Sequence, residues 1–145
     1  MSATGGGGMA GIAMAERKHA TGFLHQRVLR LLEQHYPHPL TGLQLAEQLE
    51  HEGEHVLPSQ VYRALRRLID AGEARKILVA GGYAPVGSEP AILLWCRSCG
   101  ALEAVPCPSL FARLEAGALA GGIAAPRCIV EVPGLCAACA GRRVR

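Results

Sequence analysis

The sequence predicts an α+β fold in two parts, helical first and sheet-containing second. Three observations predict it. Three stretches of helical periodicity precede two β-rich runs that flank Gly81-Gly82. Two Cys-x-x-Cys pairs, Cys96/Cys99 and Cys136/Cys139, stand 36 residues apart. Between the helical and cysteine-bearing parts lies a short proline-containing break, Gly87 to Pro90. Of the 145 residues, 50% are hydrophobic and 19% charged, which excludes a wholly disordered chain. No run approaches the roughly 18 to 20 uninterrupted apolar residues of a membrane span. The length suits one ordinary domain or two small ones that share an interface.

Met1 to Ala15 reads as a disordered leader. It has no positive start, and its apolar stretch, Met9 to Ala15, is too short for a signal peptide. The expected compartment is therefore a reducing cytoplasm, where clustered cysteines are more often metal ligands than disulfides. Glu16 to Tyr36 has helical periodicity, with Phe23, Leu24, Val28, Leu31 and Leu32 on one apolar face. Pro37 and Pro39 end it. Thr41 caps a second helix, Gly42 to Glu50, and Gln44 completes a capping box. Leu43, Leu45, Ala46 and Leu49 are its expected inward residues.

His51 to His55 is a polar loop, and Pro58 opens a third helix that runs to about Ala71, with Gly72 as its stop. Val61, Ala64, Leu65, Leu68 and Ile69 form its buried face. Ser59, Gln60, Tyr62, Arg63, Arg66 and Arg67 form the other. Arg75 to Ala80 and Tyr83 to Val86 then read as a hairpin around two glycines. Three helices and a hairpin, residues 16–86, make a winged helix-turn-helix, whose third helix enters the DNA major groove.

After the hinge at residues 87–90, residues 91–145 read as a small α/β domain. Ala91 to Trp95 and Ala101 to Val105 are strands around the first cysteine pair. Pro108 opens a helix with Leu110, Phe111, Leu114 and Leu119 inward, and Gly121-Gly122 ends it. Arg127 to Val132 is a third strand. A unit this small commonly needs a metal or a partner subunit.

Two residues between cysteines let both thiolates reach one ion, and two such pairs complete a tetrahedral four-sulfur shell. Cys96, Cys99, Cys136 and Cys139 are therefore predicted to hold one structural zinc per protomer. A thioredoxin-type redox site would have one pair, not two. Four thiolates and one Zn²⁺ sum to −2, which offsets the six Arg and four Glu from Gly87 onward. Positive potential is then left to the first domain and to the tail, Arg142, Arg143 and Arg145. Arg63, Arg66, Arg67, Arg75 and Lys76 fall within fourteen residues.

Together these features resemble the ferric uptake regulator superfamily of metal and peroxide sensors. The resemblance rests on Pro58-Ser59-Gln60-Val61-Tyr62-Arg63-Ala64-Leu65, on Cys96-Arg-Ser-Cys99-Gly100, and on Glu131-Val-Pro-Gly134-Leu-Cys136-Ala-Ala-Cys139. It implies a homodimer that pairs through its second domains. It further implies that the winged helices bind an AT-rich inverted-repeat DNA operator, and that a regulatory metal near the hinge sets their arrangement.

The sequence departs from that family at the regulatory site. Gly87 to Trp95 holds no histidine, the expected acidic ligand falls at Ala104 with Glu103 beside it, and Cys128 replaces a family histidine. Cys107 and Cys128, with His38 or Glu103, are the candidates for a reshaped site, and thiolates favour zinc or another thiophilic ion. Other readings of the two cysteines are a redox pair, a haem-responsive Cys107-Pro108 dipeptide, or ordinary core residues.

The expected function is a metal-responsive transcriptional repressor with zinc or another thiophilic metal as co-repressor. Ser59, Gln60, Tyr62, Arg63, Arg66 and Arg67 would read DNA, and Arg75 and Lys76 would touch its backbone. The rivals are a thiol-based redox regulator of the same fold and a zinc or thiol enzyme. Four cysteines leave zinc no open position for substrate, so neither catalysis nor a small-molecule substrate is expected.

Overall fold

The computed structural model describes residues 23–144, with side chains to residue 142. The expected leader, the first turns of the first helix and the side chains of Arg143 and Arg145 lie outside the described residues. The first helix, α1, is described over residues 23–35. It is followed by α2 (Gly42–His51), α3 (Pro58–Asp70), β1 (Ala74–Ile77) and β2 (Gly82–Pro85). Then come β3 (Ala91–Cys96), β4 (Leu102–Pro106), α4 (Pro108–Ala120), β5 (Glu131–Gly134) and α5 (Ala137–Val144). No helix among the described residues is long and apolar enough to cross a membrane.

The three helices enclose one core of Val28, Leu31, Leu32, Leu45, Leu49, Val61, Ala64, Leu65 and Leu68. These positions repeat at three- and four-residue steps, so each helix offers one apolar stripe to its neighbours. Phe23 and Leu43, expected inward, are exposed instead. Phe23 serves as a platform for the Arg27 guanidinium, 5.5 Å from its ring centre. Thr41 caps α2 as its sequence predicts. Its hydroxyl accepts the Gln44 amide at 3.1 Å, and Gln44 Oε1 accepts the Thr41 amide at 2.9 Å. The α3 helix has no side-chain cap at Leu57. Gln60 Oε1 instead accepts the Leu57 amide at 2.8 Å.

β1 and β2 pair antiparallel, with Ile77 opposite Gly82. The first hairpin strand thus ends at Ile77 rather than Ala80, and Leu78 to Gly81 form a four-residue loop. Gly81 adopts a φ of +73°, which closes the loop without the strain a side chain would meet there. Leu40 bridges the outer side of β2 through two backbone bonds with Tyr83, of 3.0 and 2.7 Å.

The second sheet has the order β4-β3-β5, with β3 antiparallel to β4 and parallel to β5. A parallel return needs a crossover, and α4 supplies it. The third strand is Glu131–Gly134, displaced toward the C-terminus from the predicted Arg127 to Val132, because its register follows β3 until Cys96 meets Gly134. No residue of α4 is buried, and Leu114 and Leu119 are exposed where the sequence suggested a core. Helix α5, which the sequence pattern does not signal, carries Cys139.

The two halves share a core. Ile77 and Ala84 of the hairpin pack with Leu93 and Leu102 of the second sheet, and Trp95 lies against them. The Leu102 amide also donates to the Pro37 carbonyl at 2.8 Å.

Candidate metal centre and nucleic-acid interface

The end of β3 and the start of α5 bring the four paired cysteines together. Their sulfurs all lie within 4.8 Å of one another, and the Sγ atoms of Cys99 and Cys136 are 3.9 Å apart. A tetrahedral zinc at about 2.3 Å from each sulfur separates them by about 3.8 Å, so the set fits that ion. The local chain is shaped for it. Gly100 takes a φ of +77°, which turns the chain back after the first pair, and its amide donates to the Cys96 carbonyl at 2.9 Å. Cys96 and Cys139 are buried, Cys136 is half-buried and Cys99 is exposed. The site is therefore closed by protein on one side and open to an entering ion on the other.

The sulfurs differ in basicity. Backbone N–H groups of Cys136 and then Cys99 stabilise the Cys96 thiolate and pull that thiol down to about 5, against the opposing effect of burial. The Ala101 amide favours the Cys99 thiolate, but the crowding sulfurs of Cys96, Cys136 and Cys139, together with desolvation, outweigh it and push Cys99 up to about 11. A divalent ion reverses that repulsion, since it prefers all four as thiolates. Arg142 Nη2 donates to Cys139 Sγ at 3.5 Å, which would place a cation against a zinc-loaded centre of net charge −2. The tail cluster thus sends one of its arginines inward to the sulfurs.

Among the described residues this quartet is the only group of three or more potential ligands. Cys107, Cys128, His38 and Glu103 are not gathered into one. Cys107 is half-buried at the start of α4, its amide bonded to the Pro90 carbonyl at 3.1 Å. Cys128 is half-buried in the segment before β5, and Glu103 is exposed on β4. His38 is exposed beside Gly100, its Cδ2 3.9 Å from where a Cβ on that glycine would stand. The cleft at the hinge, about 510 Å³, includes Glu33, Tyr36, Arg75 and Glu89, and no described histidine or cysteine lines it.

The other face of interest is on α3. Ser59, Gln60, Tyr62, Arg63, Arg66 and Arg67 are all exposed, as their periodicity predicts. Among the described residues Arg27 pairs with Glu52 and Glu54, and His25 lies 3.8 Å from Glu73, so the α3 arginines are left uncompensated. Lys76 is exposed on the hairpin. Its neighbour Arg75 is half-buried. Desolvation lowers its pKa, while the negative charge of Glu131 opposes that shift. Arg75 therefore faces the second domain and the hinge cleft rather than the open side on which Lys76 stands.

No protein-family model and no curated protein matches the sequence. Solved structures do. Holo XcZur is 27% identical, with 81% of this chain and 84% of that one covered and a TM-score of 0.69. A zinc uptake regulator complexed with zinc and DNA is 23% identical, with 94% and 97% covered and a TM-score of 0.74. The ferric uptake regulator of Vibrio cholerae is 21% identical, with 78% and 88% covered and a TM-score of 0.54. The chain shares the fold of these zinc and ferric uptake regulators. One of these neighbours is complexed with zinc and DNA, and another has DNA-binding domains.

Within this fold, two residues emerge that sequence reasoning left without a role. Gly42 leaves room for the Tyr62 ring, since a Cβ there would stand 2.5 Å from Tyr62 Cζ. Glu131 accepts the amides of Leu78 and Val79, at 3.1 and 3.0 Å, from the hairpin loop. Its signal in the sequence is a lone charge inside the apolar run Ile129-Val130-Glu131-Val132.

Proposed function

We propose that this protein is a cytoplasmic, homodimeric transcriptional regulator that represses by binding an inverted-repeat DNA operator when its cysteine quartet holds zinc. The first domain acts as a winged helix-turn-helix. The observation that carries this reading is the α3 face: six exposed polar or cationic side chains on a helix whose opposite face is locked in the core. Arg63, Arg66 and Arg67 would grip guanine edges or phosphates, Tyr62 a thymine methyl or a phosphate, and Ser59 a phosphate at the helix start. Gln60 keeps one amide group for adenine while its oxygen holds the Leu57 amide. Lys76 would meet the backbone at the wing. The half-buried setting of Arg75 favours a buttressing role over direct contact.

Zinc in the quartet would tie β3 to α5 and so stabilise the second domain. Dimerisation would cover apolar side chains this domain leaves exposed, among them Leu94, Val105, Leu114, Leu119, Ile129 and Val132. A closed four-sulfur site offers structure, not substrate activation. The metal response is assigned to the quartet because Cys107, Cys128, His38 and Glu103 are not gathered. The zinc uptake regulator of similar fold, complexed with both zinc and DNA, is in line with this reading.

The test is selection from a randomised pool of double-stranded DNA by zinc-loaded protein, followed by footprinting. Enrichment of a two-fold-symmetric sequence is expected. Recovery of no sequence above the input pool would refute the proposal.

A further inference from the structure

The cleft at the hinge is built from both halves of the chain. Helix α1 brings Glu33 and Tyr36 to it, and the hairpin brings Arg75. The hinge adds Glu89, and the second sheet adds Leu93 and Leu102. Its volume, about 510 Å³, lies within the roughly 300 to 1,000 Å³ of small-molecule sites, which favour such junctions. Leu93 and Leu102 are buried and give the cleft an apolar floor, while the Tyr36 ring is open to solvent.

The charges around that floor are of both signs. Arg75 is half-buried, and among the described residues it pairs with no carboxylate. Glu131 attracts it, but each Glu131 oxygen already accepts an amide of the hairpin loop, from Leu78 and Val79. A guanidinium taken part-way out of water calls for an anion. Glu33 and Glu89 are exposed on the same cleft and call for a cation. A simple anion would meet their repulsion. A metal ion would meet Arg75, and it finds no thiolate or imidazole among the described lining residues. A molecule with both charges and an apolar arm matches the arginine, the glutamates and the floor together.

We propose that the hinge cleft binds a small apolar α-amino acid, its carboxylate on Arg75, its ammonium toward Glu33 and Glu89, and its side chain over Leu93 and Leu102. The site is separate from the cysteine quartet and from the α3 face, so it stands whether or not the proposed function holds. The planar guanidinium takes a carboxylate through two parallel bonds, which fixes the orientation of the ligand. The exposed glutamates contribute less, because water screens them. The floor favours a side chain of leucine or phenylalanine size over glycine, since more apolar surface then leaves water.

The test is titration calorimetry of the full chain with leucine and phenylalanine. Each is compared with its deaminated acid, which lacks the ammonium, and its decarboxylated amine, which lacks the carboxylate. At least one of the two amino acids should bind with a Kd of about 1 mM or lower. The amine should bind at least about tenfold more weakly, and the acid about two- to fivefold more weakly. Arg75→Gln should weaken the amino acid at least about tenfold and remove its advantage over the amine. Ala104→Phe fills the cleft from an exposed position on β4 and should abolish binding, which keeps the test decisive if Arg75→Gln fails to fold. No binding of either amino acid up to about 10 mM would overturn the inference. So would an acid or amine that binds as tightly as its amino acid, or binding untouched by Ala104→Phe.

Discussion

The ring of Tyr62 on α3 lies over the backbone of Gly42 at the start of α2, so closely that a Cβ at residue 42 would stand 2.5 Å from Tyr62 Cζ. The atoms that would clash belong to the end of a half-exposed side chain, not to backbone. Gly42→Ala should therefore displace the ring rather than the helices. Its cost in stability should stay within about 1 kcal/mol, because alanine in a helix offsets some of the contact loss. Its cost in DNA affinity should be larger if Tyr62 touches DNA. In a Tyr62→Ala background, Gly42→Ala should have no further effect on binding. A double-mutant cycle that finds the two substitutions additive would separate Gly42 from Tyr62.

Arg63→Ala and Lys76→Ala should fail differently. Loss of a base-reading arginine should weaken the selected duplex by about 1 to 3 kcal/mol and relax preference at the bases it reads. Loss of a phosphate contact should weaken all duplexes alike and reduce the salt slope by about one. Affinities measured on the selected and a scrambled duplex at several salt concentrations tell them apart.

Leu119 is 53% exposed and Val132 47%, on an otherwise ordered domain. Leu119→Asp and Val132→Asp should shift the protein from dimer to monomer in light scattering, with little loss of zinc. A dimer unaffected by both substitutions would place the interface elsewhere.

Arg142 holds a cation against Cys139 Sγ. Arg142→Ala should lower zinc affinity by about 10- to 100-fold, the usual penalty for removing a supporting contact from a metal centre. Competition with a chromophoric chelator measures it, and an unchanged constant would reduce Arg142 to a surface residue.

The parts of this structure that local sequence dictates were legible in it. Thr41 and Gln44 form the box their spacing predicts, and α3 buries Val61, Ala64, Leu65 and Leu68 because its period and its core contacts coincide. The quartet was legible because two Cys-x-x-Cys pairs leave few ways to satisfy one ion. What escaped depends on distant partners. β1 stops at Ile77, three residues short of its apolar run, with the Leu78 and Val79 amides taken by Glu131. β5 shifts because its register is set by β3. Leu114 and Leu119 read as core but lie on a surface, since no other described residue covers them. Arg75 and Lys76 are adjacent cations in sequence, yet strand alternation sends them to opposite faces.

DNA binding should respond to the metal held by the quartet. Zinc per protomer and duplex affinity, measured together on wild type and on Cys107→Ser/Cys128→Ser, test it most directly. One zinc in both proteins, equal affinities, and loss of binding from both on chelation are expected. Two zincs in wild type falling to one in the variant, with loss of metal-dependent DNA binding, would contradict it.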